Sequence, residues 1–301
     1  MSLYVTGLVS VVIPTYKRSD KLMRAINSVF NQTYQNIELI LVNDNYPGDE
    51  YSKIIEEKVA FLSNNPRFRL INQNEHINGA HARNLGIKAS SGEYVAFLDD
   101  DDWWKPDKIE EQIKAFKKLD DSYGVVSCKI ERYSGESLIA KLPLFENGYV
   151  YKDVLMLKSD FATGTLLIKH KALDDSRLFD ERLIRHQDLQ LVVELTNRFK
   201  LFQVDEYLHC CDISDTQNRP NIPKIIKAKY DFFISIEPIL KSLSRSEIRA
   251  IKIIHRAEIG YVRLKHKRFL SGLLDLLPLI TSPKALKATF LKIKNKRISK
   301  I

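Results

Sequence analysis

The sequence predicts an α/β fold, a Rossmann-like mixed sheet flanked by helices, with a helical C-terminal appendage. Three observations lead to this prediction. Short β-branched runs alternate with amphipathic helical patterns over the first hundred residues, which is typical of a parallel sheet covered by helices. Looser strand-like segments follow as far as residue 168. Beyond Pro220 and Pro223 the pattern is helical, with no strand signal.

The elements of the first hundred residues follow in order. Residues 9–13 form the first predicted strand, which ends at Pro14. Ser19 is expected to cap a helix whose apolar face includes Leu22 and Ile26. The next elements are a strand over 37–42, a helix over 49–62, a strand over 68–71, a helix over 79–89 and a strand over 94–98. The fourth strand runs directly into four consecutive aspartates at 99–102.

The remaining chain divides at residue 221. Residues 124–168 contain shorter strand patterns with polar breaks, which predicts that the sheet continues with mixed strand direction. A helix is expected to begin near Asp188, because Leu189, Val192 and Leu195 recur on one side. We therefore predict two regions, a sheet-containing domain over 1–221 and a basic helical region over 222–301.

The net charge of +9 belongs to the second region. Residues 222–301 contain 19 Lys and Arg against 5 Asp and Glu, whereas residues 1–221 contain 28 basic and 33 acidic residues. The basic helices at 263–268 and 284–300 fit two alternatives, contact with an anionic membrane surface or a solvated basic face packed on the first domain. Nucleic-acid binding is not expected, because no recognition module is present.

Length and composition favour a globular protein from a reducing compartment. At 301 residues and 44% hydrophobic side chains, the chain can bury a sizeable core. Its cysteines, Cys128, Cys210 and Cys211, offer neither a disulfide framework nor paired zinc-ligand spacing. No signal-peptide pattern is visible, and the longest apolar run near the end, 269–280, is too short to span a bilayer. We expect a cytoplasmic location, either free or peripheral at the inner face of the membrane.

Candidate functional residues follow three of the predicted strands. They are Pro14, Thr15 and Tyr16 after the first strand, Asp44 after the second, and the aspartates at 99–102 after the fourth. Ligands bind beyond the carboxyl ends of the strands in an open parallel sheet. Adjacent carboxylates raise one another's pKa unless a cation is present, and Mg²⁺ or Mn²⁺ prefers oxygen ligands. The alternative is a solvated acidic loop ahead of the next helix.

Three single residues have both a functional and a structural interpretation. Asp44 is placed to accept hydrogen bonds from a uracil imide or a ribose, but a turn aspartate is commonly structural. Tyr16 fits either stacking on a base or simple packing. Asp188 is either a general base for an attacking hydroxyl or the N-cap of its helix.

Several enzyme classes are not expected. The chain has no G-x-x-x-x-G-K-[ST] loop, no G-x-G-x-x-G after the first strand and no G-x-S-x-G elbow. These absences argue against P-loop NTPases, dinucleotide oxidoreductases and serine hydrolases. Five histidines show no metal-ligand spacing and are expected at the surface or as satisfied core residues: His76, His81, His170, His186 and His209.

Taken together, the motifs resemble those of glycosyltransferase family 2, inverting enzymes with a GT-A fold. The resemblance covers roughly residues 8 to 210. Its segments are VSVVIPTYKR at 9–18, SVFNQTY at 28–34, ILVND at 40–44, ARNLG at 82–86 and SGEYVAFLDDDD at 91–102. The resemblance implies a GT-A fold, a nucleotide-sugar donor and a divalent metal cofactor, Mn²⁺ or Mg²⁺.

The resemblance also implies roles for the residues that bind the donor. Pro14, Thr15 and Tyr16 resemble the loop that touches the base. Asp44 resembles the carboxylate that recognises uracil. Arg83 is expected near the donor phosphates.

Further roles concern the aspartates. Asp99, Asp100 and Asp101 resemble the D-x-D element, in which Asp99 lies nearer the ribose and Asp101 binds the metal. Asp188 resembles the general base that ends the family's E-D pair, with Gln187 in place of the usual glutamate. Two other departures are Asn43, where an aspartate is common, and a family histidine with no clear counterpart around residues 210–212.

The implied function is transfer of a sugar, with inversion, from a nucleotide diphosphate donor to an acceptor hydroxyl. We expect a UDP-sugar as donor and a saccharide or lipid-linked acceptor, in the synthesis of a cell-surface polysaccharide or glycoconjugate. The alternative is a nucleotide-sugar-binding protein without catalysis in a polysaccharide assembly complex. A sugar nucleotidyltransferase would need a glycine-rich basic loop after the first strand, which this chain lacks.

Overall fold

The computed structural model describes residues 4–18, 20–142, 146–158, 161–215 and 221–298, with side chains as far as residue 293. The strands are β1 (Val5–Thr15), β2 (Ile37–Asn43), β3 (Phe68–Asn72), β4 (Gly92–Phe97), β5 (Trp103–Trp104), β6 (Tyr123–Ser134), β7 (Ser137–Leu142), β8 (Leu167–Lys169) and β9 (Lys200–Asp212). They form one sheet in the order β3-β2-β1-β4-β8-β6-β9-β5, with β7 paired to β6.

Twelve α-helices occur in the described residues. They are α1 (Leu22–Phe30), α2 (Glu50–Val59), α3 (Gly79–Ala89), α4 (Lys108–Phe116), α5 (Tyr151–Leu155), α6 (His170–Asp174), α7 (Gln187–Arg198), α8 (Ile222–Ser235), α9 (Glu237–Leu240), α10 (Arg245–Lys265), α11 (Phe269–Leu276) and α12 (Pro283–Ile298). Short 3₁₀ helices lie at Ala60–Leu62, Thr163–Thr165 and Leu277–Thr281.

The expected mixed α/β architecture is confirmed. β1 to β4 are mutually parallel where they pair, β8 is antiparallel to both β4 and β6, and β6 pairs in parallel with β9. The helix predicted over 79–89 has the same bounds as α3. The helix predicted from Ser19 begins at Leu22 with Lys21 as its N-cap, and Ser19 lies outside the described residues.

β1 builds two cores because its side chains alternate between the faces of the sheet. Val12 packs on one face in a cluster that includes residues of α3 and α7. Val11 and Ile13 pack on the other face with residues of α1 and α4. Because both faces of β1 are covered, its sequence is a nearly continuous apolar run. The packing on both faces also fixes the position of its carboxyl end.

The segment after residue 221 is helical, as expected. Phe232 of α8 and Ile236, the C-cap residue of α8, are fully buried. They belong to the same apolar cluster as Leu191 of α7 and Ile251 of α10. The first helices of the basic region therefore complete the core over α7. The division at residue 221 remains a prediction.

Among the described residues, no single helix is long and apolar enough to cross a bilayer. Phe269–Thr281 and Pro283–Ile293 reach the necessary length and composition only as a pair, which is bent by 117°.

Candidate active site

A cavity of about 490 Å³ opens at the carboxyl ends of β1, β2 and β4. All of the donor-site and metal residues predicted from the sequence line it: Pro14, Thr15, Tyr16, Asp44, Arg83, Asp99, Asp100 and Asp101. The lining also includes Arg18, His76, Gly79, Asp102, Cys211 and Asp212. Parallel pairing of β1 with both β2 and β4 brings these strand ends to one edge of the sheet.

The aspartates beyond β4 are held individually. Thr15 Oγ1 donates a hydrogen bond of 2.8 Å to Asp100 Oδ2, which ties the ends of β1 and β4 together. Arg83 Nη2 donates one of 2.6 Å to Asp99 Oδ1. Burial raises the pKa of Asp99, but the charge and hydrogen bond of Arg83 outweigh burial, so the net shift is downward.

Asp100 and Asp101 are held less favourably as carboxylates. Burial raises the pKa of Asp100 to about 6, and burial together with the charges of neighbouring aspartates raises that of Asp101 to about 7. The Arg18 guanidinium donates to Asp101 and lies 3.5 Å from Asp100 and 2.7 Å from Asp215. This cluster of buried carboxylate oxygens has the donor set of a hard divalent cation.

An aromatic pair lies over the end of β2. The rings of Tyr16 and His76 stack with centroids 3.7 Å apart and planes at 6°. His76 Nδ1 is 3.1 Å from Asp44 Oδ2, and Gln73 donates a hydrogen bond of 2.6 Å to Asp44 Oδ1. Burial raises the pKa of Asp44. His76 is a partly exposed residue with a polar partner, and it also lines the cavity beside two predicted site residues, which the sequence did not indicate.

Asn43 has a structural role in this loop. Its amide donates to Ser52 Oγ and to Asn72 Oδ1, each at 2.9 Å, and the residue is fully buried. Its side chain therefore joins β2 to α2 and β3. The departure from the family aspartate is explained by these contacts.

The first turn of α7 approaches the aspartates through Arg83. Gln187 Oε1 accepts from Arg83 Nη1 at 3.4 Å, while the other arm of Arg83 binds Asp99. His186, in the left-handed region with φ 64°, is the N-cap of α7. The alternative interpretation of Asp188 as the N-cap is therefore wrong.

Asp188 itself lies in the first turn of α7. Burial raises the pKa of its carboxyl, and a backbone hydrogen bond from Leu189 lowers it. The charge of Arg83 also lowers the pKa of this carboxyl, and the charge of Asp99 raises it. The net shift is upward. Asp188 is not among the residues that line the cavity, whereas Arg83 is.

A group of three possible metal ligands near the cavity was not predicted from the sequence. Pairing of β5 with β9 sets Trp104 opposite His209 and brings Asp102, His209 and Cys211 together, with ligand atoms within 4.8 Å of one another. His209 is fully buried, and its Nε2 is 3.1 Å from Asp102 Oδ2 without the alignment of a hydrogen bond. Among the described residues its Nδ1 also has no hydrogen-bond partner. The expectation of a satisfied core histidine is wrong.

The end of β9 is joined to the aspartates. Asp102 Oδ1 accepts a 2.8 Å hydrogen bond from the backbone N–H of Asp212. The Asp212 carboxylate is 2.9 Å from both Lys21 and Arg24. Burial raises the pKa of Asp212, but its hydrogen bonds with Ser214 and these two cations outweigh burial and lower it.

Comparisons with known proteins identify the family of this chain. The family model described as Glycosyl transferase family 2 matches residues 10–177. AmsB of Erwinia amylovora, an amylovoran biosynthesis glycosyltransferase, is 29% identical over 190 residues, 61% of this chain and 62% of AmsB. An uncharacterized glycosyltransferase of Rickettsia typhi is 30% identical over 262 residues, 81% of this chain and 75% of that protein. The chain spans less than two thirds of the length of AmsB and of several other curated relatives.

Solved structures show the same fold. The Staphylococcus aureus TarS fragment 1–349 in complex with UDP aligns with a TM-score of 0.60 at 16% identity, over 96% of this chain and 89% of that one. The mannosyltransferase PcManGT of Pyrobaculum calidifontis, in complex with GDP-Man and Mn²⁺, aligns with a TM-score of 0.59 at 14% identity, over 96% and 79% of the two chains. The fold is therefore GT-A, as expected, and the matched model covers more than half of the sequence. This chain belongs to glycosyl transferase family 2.

Proposed function

We propose that the protein transfers a sugar from a nucleotide diphosphate donor to an acceptor hydroxyl, with inversion at the anomeric carbon. One observation carries the proposal. The aromatic pair and Asp44 lie in one cavity with Arg83 and the aspartates beyond β4. An aromatic surface beside a carboxylate suits a nucleoside, and a cation beside a carboxylate cluster suits a metal-bound diphosphate.

The donor is proposed to be a UDP-sugar. TarS is a neighbour in fold that was solved with UDP, and PcManGT was solved with GDP-Man. At the base end, Tyr16 offers a ring to a pyrimidine and Asp44 offers a carboxylate to its imide. Arg83 is placed to exchange part of its contact with Asp99 for the donor phosphates.

The cofactor is proposed to be Mn²⁺ or Mg²⁺, held by Asp101 with the adjacent carboxylates. The oxygen donor set fits such an ion. Burial and the neighbouring aspartates raise the pKa of Asp101, and a bound cation would oppose both effects. Asp102, His209 and Cys211 offer a second group of ligand atoms beside it. When bound, the ion supplies neutralisation of the charge that develops on the departing diphosphate.

Asp188 is proposed as the general base. It takes the proton from the acceptor hydroxyl as that oxygen bonds to the anomeric carbon, while the bond from this carbon to the diphosphate oxygen breaks on the opposite face. Inversion follows from this single displacement. Arg83, which contacts both Gln187 and Asp99, sets the first turn of α7 against the donor phosphates.

The acceptor is proposed to be a saccharide or a lipid-linked saccharide in the synthesis of a cell-surface polysaccharide or glycoconjugate. AmsB, whose name places it in amylovoran biosynthesis, supports this context. The cytoplasmic location and the peripheral membrane contact of the basic helices remain predictions.

A panel of nucleotide-sugars, with release of nucleoside diphosphate measured in the presence of Mn²⁺ or Mg²⁺, tests the proposal. Asp101→Ala should lose metal-dependent donor binding, and its rate should fall by more than about 1000-fold, since metal stabilisation of the leaving group contributes several kcal/mol. Asp188→Asn should keep donor affinity and lose transfer by roughly 100-fold or more. Asp121→Ala and Asp121→Asn, at a fully exposed side chain, serve as matched controls.

Two outcomes would decide against the proposal. Full activity of both Asp101→Ala and Asp188→Asn would remove the assigned roles. Donor binding without sugar transfer or donor hydrolysis across the whole panel would instead favour the binding protein without catalysis.

A further inference from the structure

The helix α11 turns its apolar side chains away from the protein. Leu270 is 76% exposed, and Leu273 and Leu274 are also exposed. The face that packs on α10 carries Gly272 and the buried Asp275 instead. An ordinary surface helix has the reverse arrangement, with its apolar stripe toward the core.

Close packing fixes this orientation. A Cβ atom added to Gly272 would lie 2.8 Å from the Leu264 side chain and 3.0 Å from the backbone oxygen of Gly260. Asp275 accepts hydrogen bonds from Arg256 at 3.0 Å and from Arg263 at 2.7 Å. The face of α11 that carries Gly272 and Asp275 therefore packs on α10, and the leucines on the opposite face point outward.

The helix α12 repeats the arrangement. Ala285 and Ala288 are buried, while Leu286, Phe290 and Ile293 are exposed at helical spacing. Together the two helices and the 3₁₀ turn between them present nine of the 22 exposed large hydrophobic side chains in the described residues. We call these nine the apolar hairpin face: Phe269, Leu270, Leu273, Leu274, Leu277, Ile280, Leu286, Phe290 and Ile293.

A basic groove adjoins this face. It has a volume of about 450 Å³ and lies between α10 and the 3₁₀ turn Leu277–Thr281, which contributes Pro278 and Thr281. Four cationic side chains line it from one face of α10, together with two isoleucines: Arg245, Arg249, Lys252, Arg256, Ile248 and Ile253. Arg256 is paired with Asp275, and among the described residues no carboxylate lines the groove beside the other three. The turn that carries Leu277 and Ile280 is therefore also a wall of the groove.

We propose that the apolar hairpin face inserts into the interfacial region of a bilayer and that the basic groove binds the phosphates of anionic lipid headgroups. The apolar side chains match the boundary between headgroups and acyl chains, and the neighbouring cations match the negatively charged headgroups. Charge complementarity disfavours a second copy as the occupant, because residues 265–301 contain ten Lys and Arg and one Asp. Two copies meeting through this face would bring like charges together. The inference does not depend on the proposed transfer reaction.

Co-sedimentation of the full chain with sonicated vesicles tests it. We expect binding to vesicles of phosphatidylcholine with 30% phosphatidylglycerol, and weaker binding to phosphatidylcholine alone. The double variant Leu270→Ser with Ile280→Ser should lower the partition coefficient at least tenfold on both kinds of vesicle. Phe61→Ser with Ile139→Ser, at exposed apolar residues far from the face in sequence, is the matched control and should bind as the parent does.

The groove requires its own variant. Arg245→Gln with Lys252→Gln should lower partitioning at least tenfold on anionic vesicles and change it little on neutral ones, since each cation near an anionic surface contributes roughly fivefold. Circular dichroism of each variant confirms folding.

Three results would overturn the proposal. The first is a full chain that stays in the supernatant with anionic vesicles. The second is equal loss of binding in the apolar variant and its control. The third is a dimer in sedimentation velocity that Leu270→Ser with Ile280→Ser dissociates while no form binds vesicles, which would assign the face to a second copy.

Discussion

The cleft at the strand ends and the last two helices orient their apolar residues in opposite ways. At the cleft, apolar side chains face inward, and the edge of the sheet carries carboxylates that contact cations from several elements. In α11 and α12 the small and charged residues face inward, and the leucines and phenylalanines face outward. In the first arrangement Arg18, Arg24 and Arg83 supply cations to the carboxylates from within the chain. The second leaves an apolar face exposed, to which the membrane proposal assigns a partner. The difference shows that hydrophobic patterning locates amphipathic helices without telling which side is the core.

The largest expected effect concerns the boundary between these regions. A chain that ends at residue 221 would lose six buried side chains from the core over α7: Phe232, Ile236, Ile239, Leu240, Leu243 and Ile251. At about 1.5–3 kcal/mol each, their loss removes about 9–18 kcal/mol, at least comparable with the whole stability of a domain. We expect no cooperative thermal transition by circular dichroism. A truncated chain that unfolds cooperatively and still binds UDP would show that the cleft region stands alone.

A pH profile tests whether Asp188, a partly buried carboxylate near the cleft, acts as a base. Burial raises the pKa of Asp188 above its ordinary value of about 4. Because the base must be unprotonated, kcat/KM should fall tenfold per pH unit below that raised pKa, so the acidic limb should begin above pH 4. Donor affinity measured over the same range separates this effect from donor binding. A rate that stays flat to pH 4 would remove Asp188 as the base.

Substitution of Gly260 tests the close packing that turns α11 outward. Alanine should favour the helical state of α10 by about 1 kcal/mol. Its Cβ would, however, lie 2.8 Å from the backbone oxygen of Gly272, and overpacking of this kind costs about 1–3 kcal/mol. We expect Gly260→Ala to lower the free energy of unfolding by roughly 1 kcal/mol in urea titrations. Glu57→Ala, on the exposed side of α2, should change it by less than about 0.5 kcal/mol, and a stabilised Gly260→Ala would contradict the backbone contact.

The smallest expected effect concerns Arg18, whose guanidinium is a positive charge that the chain itself places in the cleft. Arg18 contacts Asp101 and Asp100, so a divalent ion must compete with its guanidinium. Without nucleotide, Arg18→Ala should bind Mn²⁺ about fivefold more tightly, as measured by the electron paramagnetic resonance of free Mn²⁺. Arg182→Ala, at an exposed arginine, is the control. Weaker binding in Arg18→Ala would mean that the guanidinium supports the metal site.

Much of the cleft could be predicted from the sequence because its residues follow strands in local order. The periodicity of β1 to β4 located their carboxyl ends, and hence Tyr16, Asp44 and the aspartates beyond β4. The contacts of His76 could not be predicted, since its partner Tyr16 lies 60 positions away in the chain and no periodic pattern links them. His209 was missed for the same reason, because its place beside Asp102 depends on the pairing of β5 with β9.

The flat stack of His76 on Tyr16 has a consequence for nucleotide capture. Under the proposed function, a pyrimidine that stacks on the face of Tyr16 covered by His76 would displace the imidazole, so that one planar ring is exchanged for another. The measured affinity for a nucleoside then records the difference between two stacks, and substituting His76 by a small residue would change how fast the base gains access as well as how tightly it is held.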